Sequence, residues 1–228
     1  MKKNNKYWKD YKKKYLKYWH FNPASKKKDY QFIGNLNTNY KNIDNLVNKL
    51  HLISSPEYAV NNNPKIKNKK ILEKINSFKS WGYEQNNTKF YRAFSDDYKK
   101  IFEKFINFTG LDYGTSSIIK QFPGQLIPWH YDTHAEFYKK IISKKIKIKK
   151  NLVIRYMIFL KNWDWGHFFC IGSSVISNWK KGDIITWKPH IHHSGTNGGM
   201  TPKVTMNITG VISKKSIHLN HKIKNYKI

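Results

Sequence analysis

Two clusters in this 228-residue chain hold side chains that could do chemistry together. In the first, Trp129-His130-Tyr131-Asp132, the alternation of an extended strand puts His130 and Asp132 on one side, aimed at a common point. The second, Pro189-His190-Ile191-His192-His193, adds imidazoles on a later strand. Two imidazoles and one carboxylate on one face of a metal leave the opposite positions open, a donor set that suits ferrous iron, a bidentate cosubstrate and then dioxygen. A His-x-Asp pair is a weak signal alone, and its context strengthens it. Ten residues beyond His193, Lys203 opens the run Lys203-Val204-Thr205-Met206-Asn207-Ile208-Thr209, in which Lys203 and Thr205 share a face. A fixed cation beside a hydroxyl inside a barrel is what the distal carboxylate of a dicarboxylic cosubstrate needs for charge-assisted hydrogen bonds.

The elements that must position these residues are short β-rich runs separated by Gly, Pro and Asn, all after Gly110. Strands are expected at about 116–122, 126–131, 153–160, 167–172, 174–179, 183–188, 191–195 and 203–212, as a double-sheet jelly roll requires. The lysine-rich stretch 135–151 reads as a flexible or partly helical insertion. Upstream the periodicity is helical: a basic aromatic helix at 7–20, then helices at 41–53, 64–79 and 95–109, the last with Ser95 as N-cap and Asp96 and Asp97 at the positive end of its dipole. The fold class is therefore mainly β with N-terminal helices (α+β). Its expected organisation is an N-terminal helical supporting region over 1–112, a β core over 113–213 and a basic C-terminal tail over 214–228.

The net charge is +29 with a pI near 10.0, and 16% of residues are aromatic. That aromatic content excludes a disordered basic tail, because it can bury enough apolar surface to offset chain entropy. The charge is compatible with a nucleic-acid or acidic-protein partner. Lysine is, however, the default polar residue here: of 43 basic side chains only Arg92 and Arg155 are arginine, which looks like an AT-rich coding bias and singles those two out. The lone Cys170 excludes an intramolecular disulfide. No signal-like apolar segment opens the chain and no stretch has the length of a transmembrane segment, so a cytoplasmic protein is expected.

From Ile118 to Val211 the sequence resembles the Fe(II)/2-oxoglutarate-dependent dioxygenases, whose fold is a double-stranded β-helix (jelly roll, cupin-like). In the family's order stand Gln121-Phe122-Pro123-Gly124, His130-x-Asp132, Phe159-Leu160-Lys161-Asn162-Trp163-Asp164-Trp165-Gly166, Trp179-Lys180-Lys181-Gly182-Asp183, His193, Asn197 and Pro202-Lys203. The segment from Trp163-Asp164-Trp165-Gly166-His167 to Asn207-Ile208-Thr209-Gly210 looks especially like uncharacterised oxygenases of tailed phages and marine viruses, which implies the host cytoplasm. The resemblance implies His130, Asp132 and His193 as Fe(II) ligands, Lys203 as the 2-oxoglutarate anchor and Thr205 as its hydroxyl neighbour. His192 is the rival of His193, but it would point to the opposite face and lie eleven positions from the anchor. The anchor in the similar proteins is usually arginine, so lysine here gives a point charge in place of a fork.

Arg155, on a strand beside the site, suits planar recognition of a carboxylate or phosphate or a structural ion pair, and Tyr156 offers a phenol to 2-oxoglutarate or packs in the core. His134 and His167 could border the pocket, and Trp129 and Tyr131 wall it. The implied activity uses Fe(II), 2-oxoglutarate and O2 to hydroxylate an unidentified primary substrate, releasing succinate and CO2. Two other readings stay open: a metal-binding cupin-like protein without oxygenase turnover, with a zinc or structural site built from the His190, His192 and His193 cluster, and a polyanion- or nucleic-acid-binding jelly-roll module.

Overall fold

The computed structural model describes residues 28–54, 56–58, 72, 73, 76, 89–220 and 224–228. The helix expected at 7–20 and nearly all of that expected at 64–79 lie outside them. In chain order the elements are β1 (Gln31–Asn37), α1 (Lys41–Ile53), β2 (Pro56–Tyr58), β3 (Lys89–Phe94), α2 (Lys99–Phe108), β4 (Asp112–Gln121), β5 (Leu126–His130), α3 (Ala135–Ser143), β6 (Val153–Phe159), β7 (His167–Ile171), β8 (Ser174–Ile176), β9 (Asp183–Trp187), β10 (His193–Asn197), β11 (Lys203–Val211) and β12 (Lys224–Lys227).

Two sheets form, in the orders β12-β1-β9-β6-β11-β4-β3-β2 and β5-β10-β7-β8. From β4 to β11 the chain crosses repeatedly between them, β4, β6, β9 and β11 in the larger and β5, β7, β8 and β10 in the smaller. That winding is the double-stranded β-helix, a jelly roll with supporting helices. The pairings are antiparallel except at the outer edge, where β12 runs parallel to β1. The larger sheet also recruits β1, β2 and β3 from the N-terminal region and β12 from the C-terminal tail.

β11 shows how composition sets the layers. All nine of its residues are buried, yet polar and apolar types alternate along it. Val204, Met206 and Ile208 enter the main apolar core, while Lys203, Thr205, Asn207 and Thr209 face a cavity between the sheets. The core is closed from outside by helices. On α1, Ile43, Leu46, Val47 and Leu50 recur at helical spacing on one buried face, and α2 contributes Phe102 and Phe105, both fully buried. Fully burying a side chain of this kind contributes roughly 1.5–3 kcal/mol.

Ser95 does not cap α2. Its backbone N–H donates to Ser116 O at 2.8 Å and its Oγ accepts from Ser116 N at 3.0 Å, which ties the turn after β3 to β4; the helix starts three residues after Asp96, behind Tyr98, with no side-chain cap. The turn after α2 needs Gly110, whose φ is +66° and where a Cβ would fall 2.1 Å from Lys215 O. The 135–151 insertion is largely ordered: α3 packs Phe137 and Ile141 against Val153 and Val211. Among the described residues no helix is long and apolar enough to cross a membrane.

Candidate metal centre and its cavity

His130 ends β5 and His193 opens β10, and the register of the smaller sheet pairs them directly, with ring centroids 4.4 Å apart. Each ring is turned by its own backbone: Nδ1 of His130 donates to Pro128 O at 2.6 Å and Nδ1 of His193 donates to Ile191 O at 3.0 Å. A carbonyl only accepts, so the proton sits on Nδ1 and the lone pair on Nε2 of each ring. Trp187, 5.0 Å from the His193 ring between centroids, and Phe169, at 5.8 Å, hold that ring from the side.

Asp132 completes the cluster from the loop after β5. Among the described residues, His130, Asp132 and His193 are the one group of His, Cys, Asp or Glu whose ligand atoms all lie within 4.8 Å of one another. Oδ1 of Asp132 accepts from Arg155 Nη1 at 2.6 Å, and Arg155 Nε donates in turn to Thr209 Oγ1 at 3.1 Å. Oδ2 is buried, accepts no hydrogen bond and faces His193 Nε2 at 3.6 Å. Burial would push this carboxyl up; the positive surroundings, Arg155 foremost, outweigh it and hold the group ionised, well below the usual carboxylate range. Two imidazoles with oriented lone pairs and a carboxylate oxygen lacking a donor fit a divalent ion of mixed nitrogen and oxygen preference, and the backbone carbonyls and Arg155 are the outer partners such ligands need.

The cluster opens into a cavity of about 1030 Å3. Lys203 lies on its wall and is 2% exposed. Its Nζ donates to Phe168 O at 2.7 Å and to Gln121 Oε1 at 3.4 Å, and it lies 5.5 Å from the centroid of the Phe169 ring. Burial lowers its pKa to about 7, against a small upward pull from the Cys170 thiol. Thr205 is the next inward residue on β11, so it stands beside Lys203 in the same wall.

Other expected residues separate cleanly. Arg155 lines the cavity, but its observed partner is Asp132, which makes it the support of the carboxylate. Tyr156, read from sequence as a cosubstrate ligand or a core residue, is the latter and not in the cavity: neighbours on a strand face opposite sides, so with Arg155 inward Tyr156 points into the helix-covered core, where its hydroxyl meets His218. His192 likewise points away from the cluster, edge-on to Tyr131. His134 and Tyr131 line the cavity. His167 instead bonds Thr201 O at 2.8 Å through Nε2, and Trp129 is not a lining residue.

Three contributors were not singled out from sequence. Gln121 holds Lys203 and donates to Gly195 O at 2.9 Å; its Gln-Phe-Pro-Gly context was a signal. Gly195 faces the anchor, and a Cβ there would lie 3.2 Å from Lys203 Nζ. Asn207 could have been found by parity with Lys203 and Thr205.

No protein-family model matches the chain, and no curated protein matches it. Among solved structures it is similar to a predicted oxalate decarboxylase of Thermotoga maritima, at 12% identity over 54% of this chain and 82% of that one, with a TM-score of 0.34. It is also similar to a cupin protein of Bacteroides fragilis, at 14% identity over 46% of this chain and 71% of that one, TM-score 0.32. A third is an uncharacterised double-stranded β-helix protein of Klebsiella pneumoniae, at 16% identity over 44% and 69%, TM-score 0.31. The strand order itself defines the class of this chain, a double-stranded β-helix protein, and its cavity carries the His130, Asp132 and His193 cluster as a candidate metal site.

Proposed function

We propose that the protein is an Fe(II)- and 2-oxoglutarate-dependent dioxygenase that inserts one oxygen of O2 into a C–H bond of its substrate, the cosubstrate leaving as succinate and CO2. The observation that carries this reading is the sharing of one cavity by the His130, Asp132 and His193 cluster and the buried Lys203 cation. Bound ferrous iron would supply the dioxygen activation. The chain's own residues supply position and charge. His130, Asp132 and His193 would hold the ion from one side and leave the cavity side open to ligands.

Lys203 would take the distal carboxylate of 2-oxoglutarate, and Thr205 would offer it a hydroxyl. Gly195 keeps space in front of the ammonium, and Gln121 keeps it aimed. Arg155 holds Asp132 by one oxygen so that the other faces the cluster. Phe169, Trp187 and Met157 make part of the wall apolar, which excludes water from the reacting groups.

The test is aerobic incubation with Fe(II) and 2-oxoglutarate, with succinate measured by mass spectrometry. Succinate formation lost in both His130→Ala and Lys203→Ala supports the reading. Tight metal binding without succinate, with or without added substrate pools, would reduce the protein to a metal-binding double-stranded β-helix without oxygenase turnover.

A further inference from the structure

Among the described residues the two most exposed large apolar side chains are Met200, at 89%, and Trp165, at 81%. They sit on different loops that meet backbone to backbone. Gly198 N donates to Gly166 O at 2.8 Å, and a Cβ on Gly199 would fall 2.1 Å from Trp165 O, so glycine is needed where the β6–β7 and β10–β11 loops touch. Side chains brace the contact. Asp164 accepts from Trp165 N through Oδ1 and from Thr201 Oγ1 through Oδ2, while Asn197 accepts from Gly199 N and donates to Thr201 O. The nearby Trp163 and Trp179 donate their indole N–H groups to His167 O and Lys161 O, whereas the Trp165 ring donates to no described residue. A single exposed apolar residue is ordinary, but a braced pair on one tip marks an interaction surface.

The tip belongs to one end of the barrel, formed by the loops 122–125, 160–166, 177–182 and 198–202. The first joins it through Gly124 N to Asn197 O at 2.8 Å and Asn197 N to Gln125 O at 2.9 Å. The third joins it through Trp163 N to Trp179 O at 2.9 Å and Lys181 N to Asn162 Oδ1 at 2.8 Å. Together the four loops carry Lys161, Lys180 and Lys181 against Asp164 alone. Lys181 is paired with Asp44, and both oxygens of Asp164 are taken. That leaves Lys161 and Lys180, both exposed and in no ion pair with a described residue. The end is remote from the metal cluster: in the β5–β10 pairing Leu126 and Thr196 lie here, and His130 and His193 at the other extreme.

We propose that this end of the barrel docks on an anionic phospholipid bilayer, Trp165 and Met200 entering the boundary between headgroups and acyl chains and Lys161 and Lys180 meeting the lipid phosphates. Tryptophan suits that boundary, because its ring is apolar and its N–H can stay with the headgroups. Apolar insertion beside lysines is how a peripheral protein binds an anionic surface. A second copy of the chain would set the same lysines against each other. Single-stranded nucleic acid stacks on successive aromatic faces along a cationic groove, and here one of the two tip residues is an aliphatic thioether. The docking needs neither metal nor turnover and leaves the cluster on the far side of the barrel.

The experiment is co-sedimentation of the full chain with vesicles of phosphatidylcholine and of phosphatidylcholine mixed with phosphatidylglycerol, at physiological ionic strength. So basic a chain is drawn to anionic vesicles by any face, so the decisive variants are those that leave the charge unchanged. Trp165→Ser and Met200→Ser should each weaken binding to the mixed vesicles by about ten-fold, and Leu52→Ser, at a similarly exposed apolar residue of α1, by less than about two-fold. Phosphatidylglycerol brominated on its acyl chains should quench part of the tryptophan fluorescence of the wild type, and that part should fall in Trp165→Ser. No binding to either vesicle, an equal loss in Leu52→Ser, or unchanged binding in either tip variant overturns the proposal. Binding of a single-stranded oligonucleotide through Trp165, with no such dependence for vesicles, overturns it in favour of a nucleic-acid surface.

Discussion

Replacing Lys203 by methionine, a neutral side chain of similar length, should stabilise the ligand-free fold more at pH 6 than at pH 9. The folded protein holds this ammonium at 2% exposure with a pKa lowered by burial from 10.5 to about 7. Between those values the unfolded chain carries a proton that the folded chain lacks, so stability rises with pH across the window. Below pH 7 both states are protonated and the full cost of burying the charge is present; above 10.5 it is gone. Applied to these two values, the linkage relation gives a cost on the order of 5 kcal/mol at pH 6 that falls to about 2 kcal/mol at pH 9.

Methionine removes that cost and also removes the donor to Phe168 O, a loss that does not depend on pH. The slope therefore isolates the charge: the stability difference between variant and wild type should shrink by about 3 kcal/mol from pH 6 to pH 9. Urea unfolding of metal-free protein at the two pH values measures it. A difference that stays constant would refute the assignment of Lys203 as a buried, titrating cation. The same linkage requires 2-oxoglutarate binding near pH 8 to take up a proton, visible as a dependence of the binding enthalpy on the buffer.

Gly195→Ala places a Cβ 3.2 Å from Lys203 Nζ, so it should weaken 2-oxoglutarate by about ten-fold or more, with metal affinity nearly unchanged, in parallel titrations. Arg155→Met leaves the Asp132 carboxylate buried without its counter-charge and should cost about 3–5 kcal/mol of stability. Part of that loss should return when a divalent metal is supplied, because the ion then neutralises Asp132; chemical unfolding with and without metal checks both statements. His130→Ala and His193→Ala should each reduce metal affinity by at least a hundred-fold in competition with a chelator, while Phe102→Ala should lower stability by about 3–5 kcal/mol and leave metal affinity intact.

The jelly-roll strands were legible because each is short, bounded by turn residues and rich in β-formers, and the eight expected runs match β4 to β11 closely. The His130, Asp132 and His193 convergence was legible for a related reason, since parity and order along the chain suffice to bring two strands of one sheet together. What stayed hidden depends on partners distant in sequence. β1 carries Gly34 and asparagines, and it becomes a strand through β9 and β12, about 150 and 190 residues away. β3 has aromatic residues on both faces, Phe90 and Phe94 inward and Tyr91 outward, which masks the two-residue period. Ser95 has every local property of an N-cap, but two hydrogen bonds to Ser116 outcompete that role. Of the two readings of Tyr156, phenol to the cosubstrate or core residue, strand parity already favours the core once Arg155 faces the cavity, because adjacent residues on one strand cannot both reach the site.

In so lysine-rich a chain, residue type alone does not identify functional charge, and the two lysines buried among the described residues show what does. Lys120 on β4 and Lys203 on β11 belong to neighbouring strands, and both are at most 5% exposed. Lys120 sits on the outward parity of β4. Its Nζ donates to Val47 O of α1 at 2.8 Å and lies 5.0 Å from the centroid of the Phe122 ring, so its charge is spent fastening a helix to the sheet. Lys203 sits on the inward parity of β11, where its partners are a carbonyl and an amide oxygen and no carboxylate. A buried cation satisfied only by neutral acceptors is an electrostatic deficit that an anionic ligand removes. The chamber is thus less stable empty than filled, and binding a dianion at Lys203 should raise the unfolding temperature of the wild type but not of Lys203→Met. An equal rise in both would place the dianion elsewhere in the molecule.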